Sequence, residues 1–412
     1  MSLLVPLVTG FSTFFGLGLV YTGARARKPG RLDRRLIDDR EQILGAGTLG
    51  ELPIRPAPLD EHQARLRVGA ITVQLHFVHL PAERAGAPVL LLLHGHSSSI
   101  REFDDLYAHL APHFEVFAFD QPSCGRSSDV AVAEVVSADR GAHPGLEVIH
   151  FLREVTQAFV EQVILPRTGP RPVIVGGGSL GGNLGLFLAE ARPRPAWLER
   201  VVVWSPASVW KPTWEKAIGA RILHHRARKT WTRDAFLKAV FCDRLTPIHP
   251  PQPAYWYWDC WGHEAGDCNG KGSGSCRLCV ARPALDFPTH VYPLMGRRKV
   301  EAIERGYGTV KREFTPARAA WHWEVAAAQV GFSHFERLAY SQIGCDVDFV
   351  AGVEDRHSVA DIFGGTRELF RAAARLLRDT GLKIRGRWLE QTGHSVHHER
   401  PTALTKILAG EL

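Results

Sequence analysis

The feature that most restricts the fold of this chain is an alternation of short, continuous apolar runs with segments of helical periodicity. A strong run is 88–94, Pro-Val-Leu-Leu-Leu-Leu-His, and a strong helical pattern covers 145–165. An unbroken apolar strand suits a position covered on both faces of a sheet. Further strands are predicted at 115–120, 172–178, 198–204, 345–351 and 386–391, further helices at 101–111, 181–191, 361–379 and 402–412, and a two-strand ribbon at 64–80. The alternation predicts an α/β fold, a mostly parallel sheet with helices on both faces.

The alternation breaks between residues 209 and 340, so we expect an inserted lid domain between two strands of the sheet. With 412 residues, the chain is long enough for a core fold and such an insertion. The predicted organisation is a membrane anchor at 1–24, a basic linker at 25–63, the first part of the core at 64–208, the lid at 209–340 and the second part of the core at 341–412.

The first 24 residues contain no charged side chain and are mostly apolar, and a basic segment follows them. About 20 apolar residues suffice for a transmembrane helix. Basic residues after the apolar segment predict that the main domain stays on the cytoplasmic side of the membrane. An uncharged helix packed on the protein and a signal peptide are the alternatives. The basic residues are Arg25, Arg27, Lys28, Arg31, Arg34 and Arg35.

The net charge of +7 is explained in large part by that segment. No long basic run with interleaved aromatic residues occurs elsewhere, so a nucleic-acid partner is not expected.

A candidate nucleophile lies between a predicted strand and a predicted helix, in Gly177-Gly178-Ser179-Leu180-Gly181. This is a G-x-S-x-G pattern, in which a sharp turn exposes a serine hydroxyl above the sheet. Small neighbours avoid clashes in that turn, and the helix N-terminus favours developing negative charge.

Two other interpretations of the same glycines remain. Gly176, Gly178 and Gly181 also fit G-x-G-x-x-G, but a dinucleotide site needs an acidic residue at the end of the next strand, and Glu199 stands at the beginning of that strand. The other interpretation is a structural glycine turn in which Ser179 has no chemical role.

Several motifs in order resemble the α/β-hydrolase superfamily, in its lid-bearing esterase and lipase-like branch. His94-Gly95-His96-Ser97 resembles the family's HG oxyanion motif, and Asp120-Gln-Pro-Ser-Cys-Gly125-Arg-Ser127 resembles its D-x-P-G-x-G-x-S loop. The second motif departs from the family at Ser123, where glycine is usual. Gly393-His394-Ser395, with Glu399-Arg400-Pro401, resembles the segment around the family's histidine. The resemblance covers about 64–208 and 341–412.

The resemblance implies a catalytic triad of Ser179, Asp355 and His394, in the family's chain order. Asp355 ends Gly352-Val-Glu-Asp, which matches the family's G-x-x-D turn. Its rivals are Asp348, which lies within a predicted strand and should point into the sheet layer or its helices, and Glu354.

The resemblance also implies an oxyanion hole made by the backbone N–H groups of His96 and Leu180. His397 and His398 compete with His394 for the role of base, but they fall where the last helix should begin.

The predicted function is that of a serine hydrolase that cleaves a carboxylic ester or related acyl bond through an acyl-enzyme. We expect a small-molecule acyl or lipid-like substrate and no catalytic cofactor. An acyltransferase with the same triad and a non-catalytic binding protein of the same fold are the alternatives. The sequence does not distinguish esters from thioesters, amides or C–C bonds, and it does not fix the oligomeric state.

The lid contains eight of the eleven tryptophans, which suit either an apolar acyl pocket or the lid's own core. It also contains four cysteines in a glycine-rich stretch, Cys260, Cys268, Cys276 and Cys279. A glycine-rich loop has little core of its own and needs a crosslink. A structural zinc site, two disulfides and free thiols are all compatible with the spacing.

Overall fold

The structure is a computed structural model, and it describes the greater part of the core of the protein. The described residues are 40–45, 59–96, 98–136, 144–209, 320–322, 324–325, 328–329, 333–334, 337, 343–353, 365–390, 392 and 396–412. The predicted membrane anchor, most of the predicted lid and its four cysteines lie outside them.

A nine-stranded sheet forms the centre of the described structure. Its strands are β1 (Glu41–Leu44), β2 (Asp60–Val68), β3 (Ile71–Leu80), β4 (Val89–Leu93), β5 (Glu115–Phe119), β6 (Val173–Gly178), β7 (Leu198–Trp204), β8 (Asp346–Gly352) and β9 (Ile384–Leu389). They lie in the order β1-β9-β8-β7-β6-β4-β5-β3-β2. Strand β3 pairs antiparallel with β2, as the predicted ribbon requires, and also antiparallel with β5. The other six pairings are parallel. The predicted fold class, an α/β-hydrolase fold with a mostly parallel sheet, is confirmed.

Helices connect the strands and cover the sheet. They are α1 (Asp104–Leu110), preceded by a 3-10 turn at Ile100–Phe103; α2 (Val132–Val135); α3 (Pro144–Phe159), which continues through a π-helical turn at Val160–Ile164 into α4 (Leu165–Thr168); α5 (Leu180–Ala189); α6 (Thr366–Leu376); α7 (Val396–Glu399); and α8 (Pro401–Ala409). Two apolar clusters fill the space between the helices and the strands. One joins α3, α5 and α6 to the sheet, and the other joins α1 and α8 to it. All five residues of β4 are buried, as its apolar sequence predicts.

The first strand of the sheet was not predicted, because it lies in the segment interpreted as a basic linker. Strand β1 has only four residues, Glu-Gln-Ile-Leu, and pairs in parallel with β9 at the edge of the sheet. Its first side chain, Glu41, is fully buried. The Glu41 carboxylate accepts hydrogen bonds from Arg367 Nε at 2.7 Å, Arg371 Nε at 3.1 Å and Trp388 Nε1 at 2.9 Å. A charge–charge network, more than apolar burial, therefore holds this strand.

A second buried carboxylate, Asp348, lies within β8. The sequence predicts that its side chain points into the sheet layer or its helices. Its side chain lies 2.7 Å from Arg385 Nη2 and 3.3 Å from Arg200 Nη1, on the two neighbouring strands. Burial raises the pKa of the Asp348 carboxyl, and both guanidinium groups act in the opposite direction. This arrangement explains Asp348 as part of the sheet layer.

Within the described part of the chain, no helix is both long enough and apolar enough to cross a membrane.

Replacing Glu41 by Ala should lower the free energy of unfolding by about 3–5 kcal/mol. The reason is that the buried Arg367 guanidinium and the Trp388 N–H would lose the carboxylate that accepts their hydrogen bonds. Urea unfolding followed by circular dichroism measures the change. Gln42→Ala is the matched control, since Gln42 is the exposed next residue of the same strand and should change stability by less than ~0.5 kcal/mol. Equal effects of the two substitutions would contradict the assignment of Glu41 as the residue that holds β1.

Candidate active site

Ser179 occupies a sharp turn between β6 and α5. Its backbone angles are φ 50° and ψ −114°, which L-residues rarely adopt. The turn is held on both sides: Ser179 N–H donates to the carbonyl oxygen of Trp204 at 3.1 Å, and the Ser179 carbonyl accepts from Ala207 N–H at 2.9 Å. Ser179 is partly exposed, whereas Gly178 and Leu180 beside it are buried. The turn therefore presents one serine at the carboxyl end of the parallel strands.

The glycines around Ser179 are required by direct contacts. A Cβ on Gly177 would lie 2.5 Å from the carbonyl carbon of Gly181, and one on Gly178 would lie 2.1 Å from Trp204 Nε1. A Cβ on Gly181 would lie 1.9 Å from the carbonyl oxygen of Leu93. None of these distances is compatible with a side chain, so all three positions admit only glycine without rearrangement. The glycine pattern is thus explained by the packing of α5 and β6 against β4 and β7.

The loop after β4 lies directly beside the serine. A Cβ on Gly95 would be 3.7 Å from Ser179 Cβ. His94 Nδ1 lies 2.8 Å from the carbonyl oxygen of Gly95, and His94 Nε2 lies 2.9 Å from Gln121 N–H. Because Gln121 N–H is a donor, Nε2 must accept, and the ring proton of neutral His94 is on Nδ1 and bonds to Gly95. The Gly95 carbonyl belongs to the same peptide unit as His96 N–H, so His94 orients that N–H.

Leu180 is the first residue of α5, and Ser179 stands at the position before it without a capping hydrogen bond from its side chain. The first N–H groups of an α-helix have no partner within the helix, and the helix dipole adds partial positive charge there. Contact of Gly181 with Leu93 places the start of α5 against the end of β4, where the loop with His96 begins. The structure thus places Ser179 and Leu180 beside the loop that contains Gly95. That Leu180 and His96 form the oxyanion hole stays a prediction.

The His96 ring is neutral over the usual range of pH. Burial lowers its pKa to about 3, nearby His94 acts in the same direction, and a hydrogen bond with the backbone of His322 opposes them. The rings of His96 and His322 are 5.5 Å apart. His322 belongs to the predicted lid segment and is buried, so this described part of the segment packs over the loop beside the serine.

A second contact joins the predicted lid segment to the helix that follows Ser179. The Nε2 atom of buried His334 lies 2.5 Å from Oδ1 of Asn183, on α5, and its Nδ1 atom lies 3.3 Å from Oε1 of Glu190, which follows the last residue of α5. His334 N–H also donates to the Ser208 carbonyl at 2.9 Å. These bonds fix the described end of the segment to the core.

The loop with Asp120 is structural. Asp120 Oδ1 accepts from Ile100 N–H at 2.8 Å, and Oδ2 accepts from Arg126 N–H at 2.9 Å. Ser123, which departs from the family motif, has φ 60°, a conformation that glycine adopts without strain. The departure therefore costs some backbone strain and does not alter the site.

Three further polar residues meet near Ser179, and the sequence did not indicate two of them. Glu102 Oε2 accepts from Gly95 N–H at 2.9 Å, and Trp204 Nε1 donates to His397 Nδ1 at 3.1 Å. His397 competes with His394 in the sequence for the role of base, but in the structure its Nδ1 atom accepts a hydrogen bond from the buried indole of Trp204. No signal in the sequence marks Glu102, whose direct neighbours are Arg101 and Phe103.

Several predicted site residues lie outside the described residues. These are Asp355 with its rival Glu354, His394 and the four cysteines, and their roles stay predictions. Within the described part of the chain, no group of three or more His, Cys, Asp or Glu side chains is arranged to hold a metal ion.

A sequence pattern of the alpha/beta hydrolase family matches residues 90–407. A search of proteins with curated functions found no match. Among solved structures, a probable hydrolytic enzyme from Pseudomonas aeruginosa PAO1 has a TM-score of 0.52 and 16% identity, with 86% of this chain and 94% of that chain covered.

A mutant epoxide hydrolase from Solanum tuberosum has a TM-score of 0.51 and 14% identity, with 86% and 99% covered. An esterase from Thermogutta terrifontis has a TM-score of 0.48 and 15% identity, with 85% and 97% covered. Likeness at this level of identity concerns the fold and not the substrate.

Protonation of His96 should destabilise the folded protein. Because the folded-state pKa is about 3 and the unfolded value is about 6.5, stability should fall as pH drops below about 6.5 and continue to fall toward about 3. His96→Gln should flatten this dependence, which urea unfolding at several pH values measures. The control is His113→Gln, at a partly exposed histidine. An unchanged pH dependence in His96→Gln would contradict the buried environment assigned to this ring.

Proposed function

Because the chain belongs to the α/β-hydrolase family, we propose that it is a serine hydrolase that cleaves a carboxylic ester through an acyl-enzyme formed on Ser179. The observation that supports this most strongly is the backbone of Ser179, with φ 50° and ψ −114°, at a partly exposed turn beside Gly95. Such a strained conformation costs of order 1–3 kcal/mol and persists where the surrounding structure fixes it. Strained backbone of this kind clusters at active sites, and here it lies at a serine that is partly exposed.

In the proposed reaction, the Ser179 hydroxyl attacks the carbonyl carbon of the ester and transfers its proton to His394. Asp355 holds the imidazole in the required tautomer and stabilises its positive form. The resulting oxyanion accepts hydrogen bonds from the backbone N–H groups of Leu180 and His96. His394 then gives the proton to the leaving alcohol. In the second half of the reaction, water gives a proton to His394 and attacks the acyl carbon. The bond between the acyl group and Ser179 breaks, the acid is released, and His394 returns the proton to Ser179.

The side chain at the turn favours acyl transfer over alkyl transfer. A serine hydroxyl adds to a carbonyl and leaves an ester that water can cleave, whereas opening an epoxide by displacement calls for a carboxylate nucleophile. The likeness to an epoxide hydrolase concerns the fold, so it does not outweigh the residue at position 179.

An acyltransferase would use the same acyl-enzyme and give it to an alcohol instead of water. The two outcomes separate when products are analysed in the presence of a competing alcohol. Release of the free acid as the main product supports the hydrolase, and formation of the new ester as the main product supports the transferase.

Ser179→Ala should abolish covalent labelling by a fluorophosphonate probe and lower the kcat for p-nitrophenyl esters by roughly a million-fold, as loss of a serine nucleophile does elsewhere. The mass of the labelled peptide identifies the modified residue. A series of acyl chain lengths then defines the preferred ester.

The matched control for that experiment is Ser205→Ala. Ser205 follows the neighbouring strand β7, also has a positive φ, 44°, and is buried. The Ser205→Ala protein should be labelled by the probe and should hydrolyse the esters like the wild type. Labelling that survives in Ser179→Ala, or a wild-type protein that is neither labelled nor active on any ester of the series, would refute the proposed nucleophile.

We also propose attachment to a membrane through residues 1–24, with the main domain in the cytoplasm, on the basis of the uncharged apolar segment and the basic residues after it. Leu7→Arg combined with Phe14→Arg should shift the protein from the carbonate-washed membrane fraction to the soluble fraction, since a charge at the centre of a spanning helix costs about 3 kcal/mol. Ser12→Ala is the control and should stay with the membrane. A wild-type protein found in the soluble fraction would contradict the proposal.

A further inference from the structure

A buried polar connection runs from the loop after β4 to the turn that holds Ser179. Glu102 Oε2 accepts the N–H of Gly95 at 2.9 Å, and Glu102 Oε1 lies 3.4 Å from His397 Nε2. His397 Nδ1 in turn accepts from Trp204 Nε1 at 3.1 Å. The three side chains belong to the turn before α1, to α7 and to the end of β7, so the connection joins three elements that are distant in sequence.

The donors and acceptors fix the state of the imidazole. Indole N–H can only donate, so His397 Nδ1 accepts and carries no proton. The ring proton of neutral His397 is therefore on Nε2, which faces Glu102. The Nε2–H group of His397 and the Glu102 carboxylate, 3.4 Å apart, are therefore of opposite polarity.

The connection lies in the interior. The exposed fraction is 4% for Glu102, 6% for His397 and 0% for Trp204. Phe103 packs edge-on against both rings, at 5.9 Å from His397 and 6.3 Å from Trp204. A carboxylate buried among aromatic rings costs free energy unless it forms strong hydrogen bonds, so its position near Gly95 calls for an explanation.

Trp204 also touches the turn of the serine. Its carbonyl accepts the Ser179 N–H at 3.1 Å, and its indole occupies the space where a side chain at position 178 would lie. Movement of the indole would therefore disturb the residue before Ser179 as well as the hydrogen bond of Ser179 itself.

Gly95, in the loop beside Ser179, is a position of high backbone freedom, because glycine has no Cβ to restrict its φ and ψ angles. His94 holds the peptide unit after Gly95 through its carbonyl, and Glu102 holds the peptide unit before Gly95 through its N–H. With both units fixed, the Gly95 backbone is fixed, and so is the direction of His96 N–H. A carboxylate acceptor makes this bond stronger than a neutral acceptor would.

We propose that Glu102, His397 and Trp204 act as a positioning bridge, which holds the Gly95–His96 peptide in register with the turn of Ser179 so that the oxyanion donors meet the reacting carbonyl. The inference rests on the proposed hydrolase function. The bridge residues act through Gly95, Gly178 and the backbone N–H of Ser179. His397 is also three residues after His394 in the sequence, so the bridge holds the helix that follows the predicted base.

The test compares substitutions that break the bridge with substitutions that preserve it. Glu102→Leu removes the acceptor of Gly95 N–H, and His397→Leu removes the link to Trp204. In His397→Gln, the amide oxygen can accept from Trp204 and the amide nitrogen can donate to Glu102. Glu102→Gln keeps an acceptor for Gly95 but directs its amide nitrogen at the N–H of His397.

Both leucine variants should lower kcat for p-nitrophenyl butyrate by ~10–100-fold while KM changes by less than ~3-fold, because misplacing an oxyanion donor weakens binding of the transition state more than of the substrate. The rate of fluorophosphonate labelling should fall in parallel. His397→Gln should recover most of the loss, and Glu102→Gln should lie between Glu102→Leu and the wild type.

Glu190→Gln is the matched control, because Glu190 is another buried carboxylate that faces a histidine, His334, but it contacts neither loop beside Ser179 in the hydrogen bonds described above. It should change the urea midpoint about as much as Glu102→Gln and leave kcat within ~2-fold of the wild type. Rates are compared on samples with the same folded fraction by circular dichroism.

The outcomes separate this inference from the function on which it rests. A wild type that hydrolyses esters, with leucine variants of the bridge that are folded and keep wild-type kcat, would overturn the bridge and leave the hydrolase intact. Equal loss of kcat in Glu190→Gln and Glu102→Gln would also overturn it, as a general effect of packing. A wild type without any labelling refutes the hydrolase first.

Discussion

The whole site depends on one close approach, that of the first turn of α5 to the end of β4. At Gly181 the helix lies so near the Leu93 carbonyl that a Cβ would be 1.9 Å from its oxygen. This approach sets the serine turn beside the loop of His94 and Gly95, and it brings the free N–H groups of the helix to the same place. A larger residue at 181 would move the helix outward and separate the turn from the loop before any chemical group was altered.

The interior of the sheet could be predicted from the sequence because its strands are buried on both faces and read as unbroken apolar runs. The observed bounds of β4, β6, β7 and β8 are within about two residues of those predicted. Strand β1 could not be predicted, since four residues that include Glu41 and Gln42 show no periodicity. The partners of Glu41 are more than 300 residues away in the sequence.

In the candidate site, too, features that depend on a local pattern could be predicted, and features that depend on distant contacts could not. The glycine pattern around Ser179 is local, so it predicted the turn and the serine correctly as a strand-to-helix junction. Glu102 and Trp204 were missed because their importance arises from contacts with Gly95 and His397, which no local pattern encodes. Asp355 and His394 rest on motifs that resemble the family, and they stay predictions.

The position of Glu41 has a consequence for the preparation of shortened forms of the protein. A soluble fragment that begins after the apolar and basic segments must still include Arg40 to Leu44, because β1 completes the edge of the sheet next to β9. A fragment that begins near residue 60, at the start of β2, would expose the edge of β9. It would also remove the Glu41 carboxylate that accepts hydrogen bonds from Arg367 and Arg371. Such a fragment would offer an unpaired strand to its neighbours and would be prone to aggregate.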